Sequence, residues 1–168
     1  VAGKTKNPFY APAKNGLIWD GDYRPEGANI SYDNGTVWAV AAYHFLESDN
    51  KAGGQDAEEM YGAQLGFNGK SSDETSYKIV HSYFYIPVEG SEAFFDDAFF
   101  GNSAVGNVYE FDYEIFELFA ELNTSIAGLP ATLFADYVNN ADADEDTGYA
   151  LGFKLGKAKN RGDWEVGY

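Results

Sequence analysis

The chain contains no cysteine, which excludes disulfides, thiolate zinc sites and covalent haem attachment. It also lacks any run of about 18 apolar residues, so no helix of this sequence can cross a bilayer. Basic residues are scarce: 11 lysines and arginines stand against 27 aspartates and glutamates, leaving a formal charge of −16 over 168 residues. Such a balance repels phosphate backbones, and no nucleic acid partner is expected. The two histidines, His44 and His81, are far apart in sequence. No serine or cysteine motif accompanies them to make a nucleophile and base, so structural placement within strands is expected and enzymatic activity is not.

What the chain does hold is aromatic and apolar residues, 17% and 45% of the total, spaced at every second position. The clearest case is 109–115, where Tyr109, Phe111, Tyr113 and Ile115 alternate with Glu110, Asp112 and Glu114. That period predicts a strand with one greasy and one charged face. After Ile115 the parity flips, because Phe116, Leu118, Ala120 and Leu122 alternate with Glu117 and Glu121, and a one-residue bulge is expected at the junction. Residues 61–67, 133–137 and 149–155 repeat the alternation, and Trp164, Val166 and Tyr168 continue it. In 36–46 and 76–86 both faces carry apolar residues, and the outward set is left open.

The connections alternate in length. Long ones are expected at about 6–26, 47–57, 87–106 and 139–148; short ones fall at Asp33 to Gly35, 68–75, 123–130 and 157–162. Long on one side and short on the other is the sidedness of an up-and-down transmembrane β-barrel. Within 87–106, Ser91 to Phe100 is equally compatible with a turn or two of helix capped by Ser91. Gly62, Gly66, Gly152 and Gly156 fall at inward positions beside acids, a face that needs water next to it.

The fold expected is therefore all-β, an antiparallel transmembrane β-barrel with about eight strands in this single segment, 1–168. Both ends read as partial strands, so a larger barrel of about sixteen strands is expected. The lipid-facing aromatics would be Tyr109, Phe111, Tyr113, Tyr149, Phe153 and Trp164, and the lumen wall Glu110, Asp112, Glu114, Glu117, Glu121 and Lys154. An acidic lumen favours cations. Two alternatives stay open: a soluble ligand-binding β-barrel, and a small eight-stranded recognition barrel that does not conduct.

Several short motifs occur in order along nearly the whole chain: Gly3 to Phe9, Leu17 to Asp22, Pro25 to Gly27, Phe100 to Ser103, Leu133 to Asn139, Gly148 to Lys157 and Gly162 to Trp164. Together they resemble the porins of Gram-negative gammaproteobacterial outer membranes. The resemblance implies passive diffusion of small hydrophilic solutes, an outer-membrane location among lipids and lipopolysaccharide, and a homotrimer. It also leaves two readings of 6–26: a loop folded into the lumen, making Asp20, Asp22, Arg24 and Glu26 candidates for a constriction whose opposed charges select by sign, or an ordinary solvated outer loop.

Asp142, Asp144 and Asp146, with Glu145 among them, have spacing reminiscent of a calcium loop. Thr147 and Phe153 stand where an EF-hand needs glycine and glutamate, so a solvated acidic tip is the stronger expectation and a loose calcium site the weaker. No other cofactor is expected. The acids of 109–122 are too many and too regular to read as a glycosidase pair.

Overall fold

The computed structural model describes residues 1–14, 16–19, 21–47, 58–94 and 98–168, with only the backbone described at Glu47. The chain is all-β. Its strands are β1 (Ala2–Lys4), β2 (Glu26–Asp33), β3 (Val37–Glu47), β4 (Glu58–Lys70), β5 (Ser76–Ile86), β6 (Ala104–Val105), β7 (Val108–Tyr109), β8 (Tyr113–Ile126), β9 (Leu129–Asn140), β10 (Thr147–Gly156) and β11 (Glu165–Gly167). Nine of them form one antiparallel sheet in the order β1-β2-β3-β4-β5-β8-β9-β10-β11, each pairing with the next strand of this sheet along the chain. β6 and β7 form a small separate ribbon within the β5–β8 connection. β1 and β11 are the two edges of the sheet, which is open among the described residues.

Local chemistry sets the short connections. Asp33 Oδ1 accepts from the Gly35 amide at 2.7 Å and Asn34 Oδ1 accepts from the Val37 amide at 2.8 Å, so side chains close the β2–β3 turn together with the backbone bond from the Asn34 amide to the Val37 carbonyl. The β8–β9 turn is tighter than expected, only Ala127 and Gly128, both at positive φ (52° and 77°). Two such residues in succession match the right-handed twist of a hairpin. Longer connections occupy the other end at 5–25, 48–57 and 87–112. The last pair breaks the trend, since 141–146 is no longer than 157–164.

The two faces are opposite in character. One, here the outer face, carries Ile30, Leu65, Ile79, Leu118, Leu133, Leu151 and their cross-strand neighbours. Many are strongly exposed, with Leu151 at 75% and Ile30 at 74%. The other, inner face carries buried Val40, Met60, Val80, Phe84 and Phe119 together with Gln64, Ser82, Glu117, Glu121 and Asp136. The hydrophobic core is small and lies on this inner face, where Phe9 from the β1–β2 connection packs on Val40, Met60 and Phe84.

Two expectations about 91–122 are corrected. Strand β8 starts at Tyr113 and pairs in unbroken register with both β5 and β9, so no bulge exists at Ile115. Tyr113, Ile115, Glu117, Phe119 and Glu121 share the inner face, and Glu114, Phe116, Leu118 and Leu122 the outer one. The apolar run changes sides because the loop end of the inner face is apolar: Ile18, Leu46, Ile86 and Ile115 pack around the core there and line a cavity. Nor is there helix among the described residues of 91–100: Glu92 bridges to Val108, and the Tyr109 amide donates to the Ser91 carbonyl at 2.9 Å.

Candidate functional site: the covered inner face

The central feature is the segment 5–25, which lies against the inner face. Phe9 sits edge-on to Phe84 (ring centroids 4.8 Å apart) and stacks near Trp19, which in turn stacks on Tyr23 at 5.1 Å. Burying one such aromatic contributes roughly 2–3 kcal/mol, enough to hold a connection that has little regular structure of its own. The sequence accommodates it through glycine. A Cβ at Gly62 would lie 2.5 Å from Phe9 Cζ and 2.9 Å from Phe84 Cδ1, and Gly66 is covered by the Trp38 indole. These glycines are seats for rings, which corrects the expectation that they leave the inner face empty.

Polar bonds fix the segment in register. Gln64 pairs with the Tyr10 backbone as another strand would, accepting from its amide at 2.8 Å and donating to its carbonyl at 2.9 Å. Gln64 also donates to Ser82 Oγ at 3.0 Å, and Ser82 donates to Glu117. Further along, Glu121 accepts from the Tyr10 hydroxyl at 2.9 Å, the Ala13 amide at 2.7 Å and Asn123 Nδ2 at 2.8 Å. Lys154 closes the set by donating to the Ala13 carbonyl at 2.6 Å. Ala13 and Lys14 both adopt positive φ, 48° and 63°, in the 3-10 turn Pro12–Lys14. That costs on the order of 1 kcal/mol per residue and persists because the Ala13 amide and carbonyl are held from both sides.

Burial and charge shape the phenols of this segment. Burial, with the Glu121 carboxylate next in weight, pushes the Tyr10 hydroxyl well above its ordinary value. Burial alone raises Tyr23 to about 12. Both therefore stay neutral over the ordinary pH range.

The structure sorts the expected site residues into separate places. Of the lumen-wall candidates, Glu117, Glu121 and Lys154 lie on the inner face. Glu114 lies on the outer face, accepting from the Tyr83 hydroxyl at 2.9 Å. Glu110 and Asp112 belong to the β7–β8 connection, where Asp112 accepts from the amides of Val88 and Glu89, both at 2.7 Å. Of the outward aromatics, Tyr149, Phe153 and Trp164 are exposed on the outer face. Tyr109, Phe111 and Tyr113 are not there. Tyr109 is buried between Phe94 and Phe99, and with Phe111 and Tyr113 it lines a cavity at the loop end of the inner face.

Among the constriction candidates, Asp20 lies outside the described residues. Asp22 is exposed; Arg24, also exposed, donates to the Tyr23 carbonyl at 2.9 Å. Glu26 sits on the outer side of β2, sharing that face with Ala28 and Ile30, and lines a small pocket with Arg24. Asp142, Asp144 and Asp146 form no group that could hold a metal ion, and no group of three or more such side chains occurs among the described residues. Asp146 is engaged with Thr147 and Asn139, whose hydrogen bonds hold its carboxyl below the ordinary range. His44 is buried on the inner face beside Phe9 and Tyr23. His81 stands on the outer face, its Nδ1 3.0 Å from the Glu117 carbonyl oxygen.

Sequence reasoning missed Gln64, Ser82, Asp136 and Tyr10. The available signal was the blurred alternation in 36–46 and 76–86. Those strands lie under Phe9, Tyr10 and Trp19, and a covered face becomes apolar like the other. No family model matches the chain, and neither a curated protein nor a solved structure matches it.

Proposed function

We propose that the chain is a segment of an outer-membrane β-barrel of the porin type, passing small hydrophilic solutes by passive diffusion and favouring cations. The observation that carries this reading is the outer face. Across strands β2 to β5 and β8 to β10 it presents mainly alanine, leucine, isoleucine and aromatic side chains, with His81 in its middle and no lysine or arginine among the described residues. A soluble protein seldom leaves a continuous apolar face of this extent open to water. A lipid contact requires one.

The aromatics are also layered. Tyr43, Tyr61, Tyr83, Tyr85, Tyr137 and Tyr149 lie toward the loop end, and Tyr32, Phe67, Tyr77 and Trp164 toward the turn end, with Ala41, Ala63, Leu65 and Leu118 between them. Two such belts match the two interfaces of a bilayer. The outer-face acids Glu26, Glu59 and Glu114 all fall at the loop ends of their strands, and Tyr61 and Tyr83 donate hydroxyls to Glu59 and Glu114. Amphipathic rings with wet hydroxyls suit that level. The seven long strands β2 to β5 and β8 to β10 run from 8 to 14 residues, bracketing the 9–11 or so that span a tilted bilayer crossing.

In this reading the segment 5–25 narrows the path along the inner face, covering the buried acids Glu117, Glu121 and Asp136. Lipids and lipopolysaccharide would contact the outer face. The two sheet edges would pair with further strands, of the same chain or of other copies in a homotrimer. Reconstitution into planar bilayers tests the proposal: stepwise conductance with cations favoured over anions is expected. A protein that inserts yet gives no conductance, or that prefers anions, overturns the transport reading.

A further inference from the structure

A second recognition feature lies at the loop end, away from the Glu121 contacts. A cavity of about 480 Å³ opens there, within the size range of small-molecule sites. Its walls include Trp19, Phe94, Tyr109, Phe111 and Tyr113, from three separate parts of the chain, over an aliphatic floor. Glu145 and Asp146 stand among its lining residues, and no lysine, arginine or histidine does among the described residues. Aromatic faces attract cations through their quadrupole, most strongly when the cation is poorly hydrated, while carboxylates without a basic counterpart repel anions. The indole N–H of Trp19 is buried with no hydrogen-bond partner among the described residues, a donor suited to a ligand oxygen.

We propose that this cavity binds an organic ammonium ion, its cationic head against the aromatic walls on the side of Glu145 and Asp146. The hydrogen bonds that keep Asp146 ionised support this assignment. The site goes beyond passive diffusion and does not depend on closure of the sheet, because every lining residue belongs to this chain.

The test uses the protein in detergent micelles, with choline as the probe and its neutral carbon isostere as the comparison, each titrated calorimetrically. Choline is expected to bind about tenfold more tightly than the isostere, the size of a partly desolvated cation–π contribution. Tyr113→Leu should remove most of that preference. Glu145→Gln, at an exposed position that leaves the fold untouched, should weaken choline about threefold without changing the isostere. Glu74→Gln, in the turn at the opposite end, should change neither. Equal binding of the two probes, no choline binding, or a choline affinity indifferent to Glu145→Gln overturns the site. Because these readings need no conductance, they are independent of the transport experiment.

Discussion

The amide of Ala13 donates to Glu121 Oε2 at 2.7 Å, joining two residues 108 positions apart. This contact ties the β1–β2 connection to β8, and it explains how a segment with one short 3-10 turn holds a defined course over the sheet. Glu121 is buried, and the amide is one of several donors that compensate its desolvation.

Loss of Glu121 should therefore free the segment. Glu121→Ala is expected to cost about 2–3 kcal/mol, typical of hydrogen bonds to a charged group. Amide exchange at Tyr10 and Ala13 should quicken, whereas exchange in the β9–β10 pair should not. Unchanged protection at Ala13 would show that the aromatic packing alone holds the segment.

The glycine seats make a paired prediction. Gly62→Ala places a methyl group against Phe9 and Phe84, and overpacking of this kind costs about 1–3 kcal/mol. Gly21→Ala meets nothing within 4 Å and serves as the neutral comparison. Denaturation midpoints of the two variants in the same micelles decide it.

The outer face distinguishes lipid contact from solvent contact. Leu151 is 75% exposed, so in a water-soluble protein Leu151→Arg would change stability by no more than about 0.5 kcal/mol. Facing the middle of a bilayer, the same change should cost about 2–4 kcal/mol. Folding into vesicles, measured against urea, separates these outcomes. A wild-type-like midpoint would count against membrane insertion.

Alkaline titration reads the covered face directly. Tyr23 is raised from 10.0 to about 12 by burial, so its neutral form is favoured in the folded state. The stability this provides is complete below pH 10 and is lost as pH rises through 12. Tyrosinate absorbance should show several phenols lagging behind the denatured protein, Tyr10 and Tyr23 among them, and Tyr23→Phe should reduce that lag by one phenol. A normal native titration would mean that water reaches the ring.

Much of this architecture was legible because a strand has a period of two. Leu65, Leu151 and Tyr149 advertise their face through small or polar neighbours, and Asp33, Asn34 and Gly35 announce a turn through their own local chemistry. The same logic misread 109–115. There, alternation runs on through residues 110–112, where Asp112 caps the amides of Val88 and Glu89 and pairing with the main sheet has not begun. Period alone cannot distinguish a strand from a loop whose alternate side chains enter a cavity.

The sequence by itself determined the antiparallel order, the sidedness of most connections and the apolar character of one face, since these follow from local periodicity and turn residues. Only the tertiary structure decided what lies on the other face. The contacts of Phe9 with Phe84, Gln64 with Tyr10, and Glu121 and Lys154 with Ala13 join positions 54 to 141 residues apart, and no local pattern encodes which distant side chain will accept a given amide or ring.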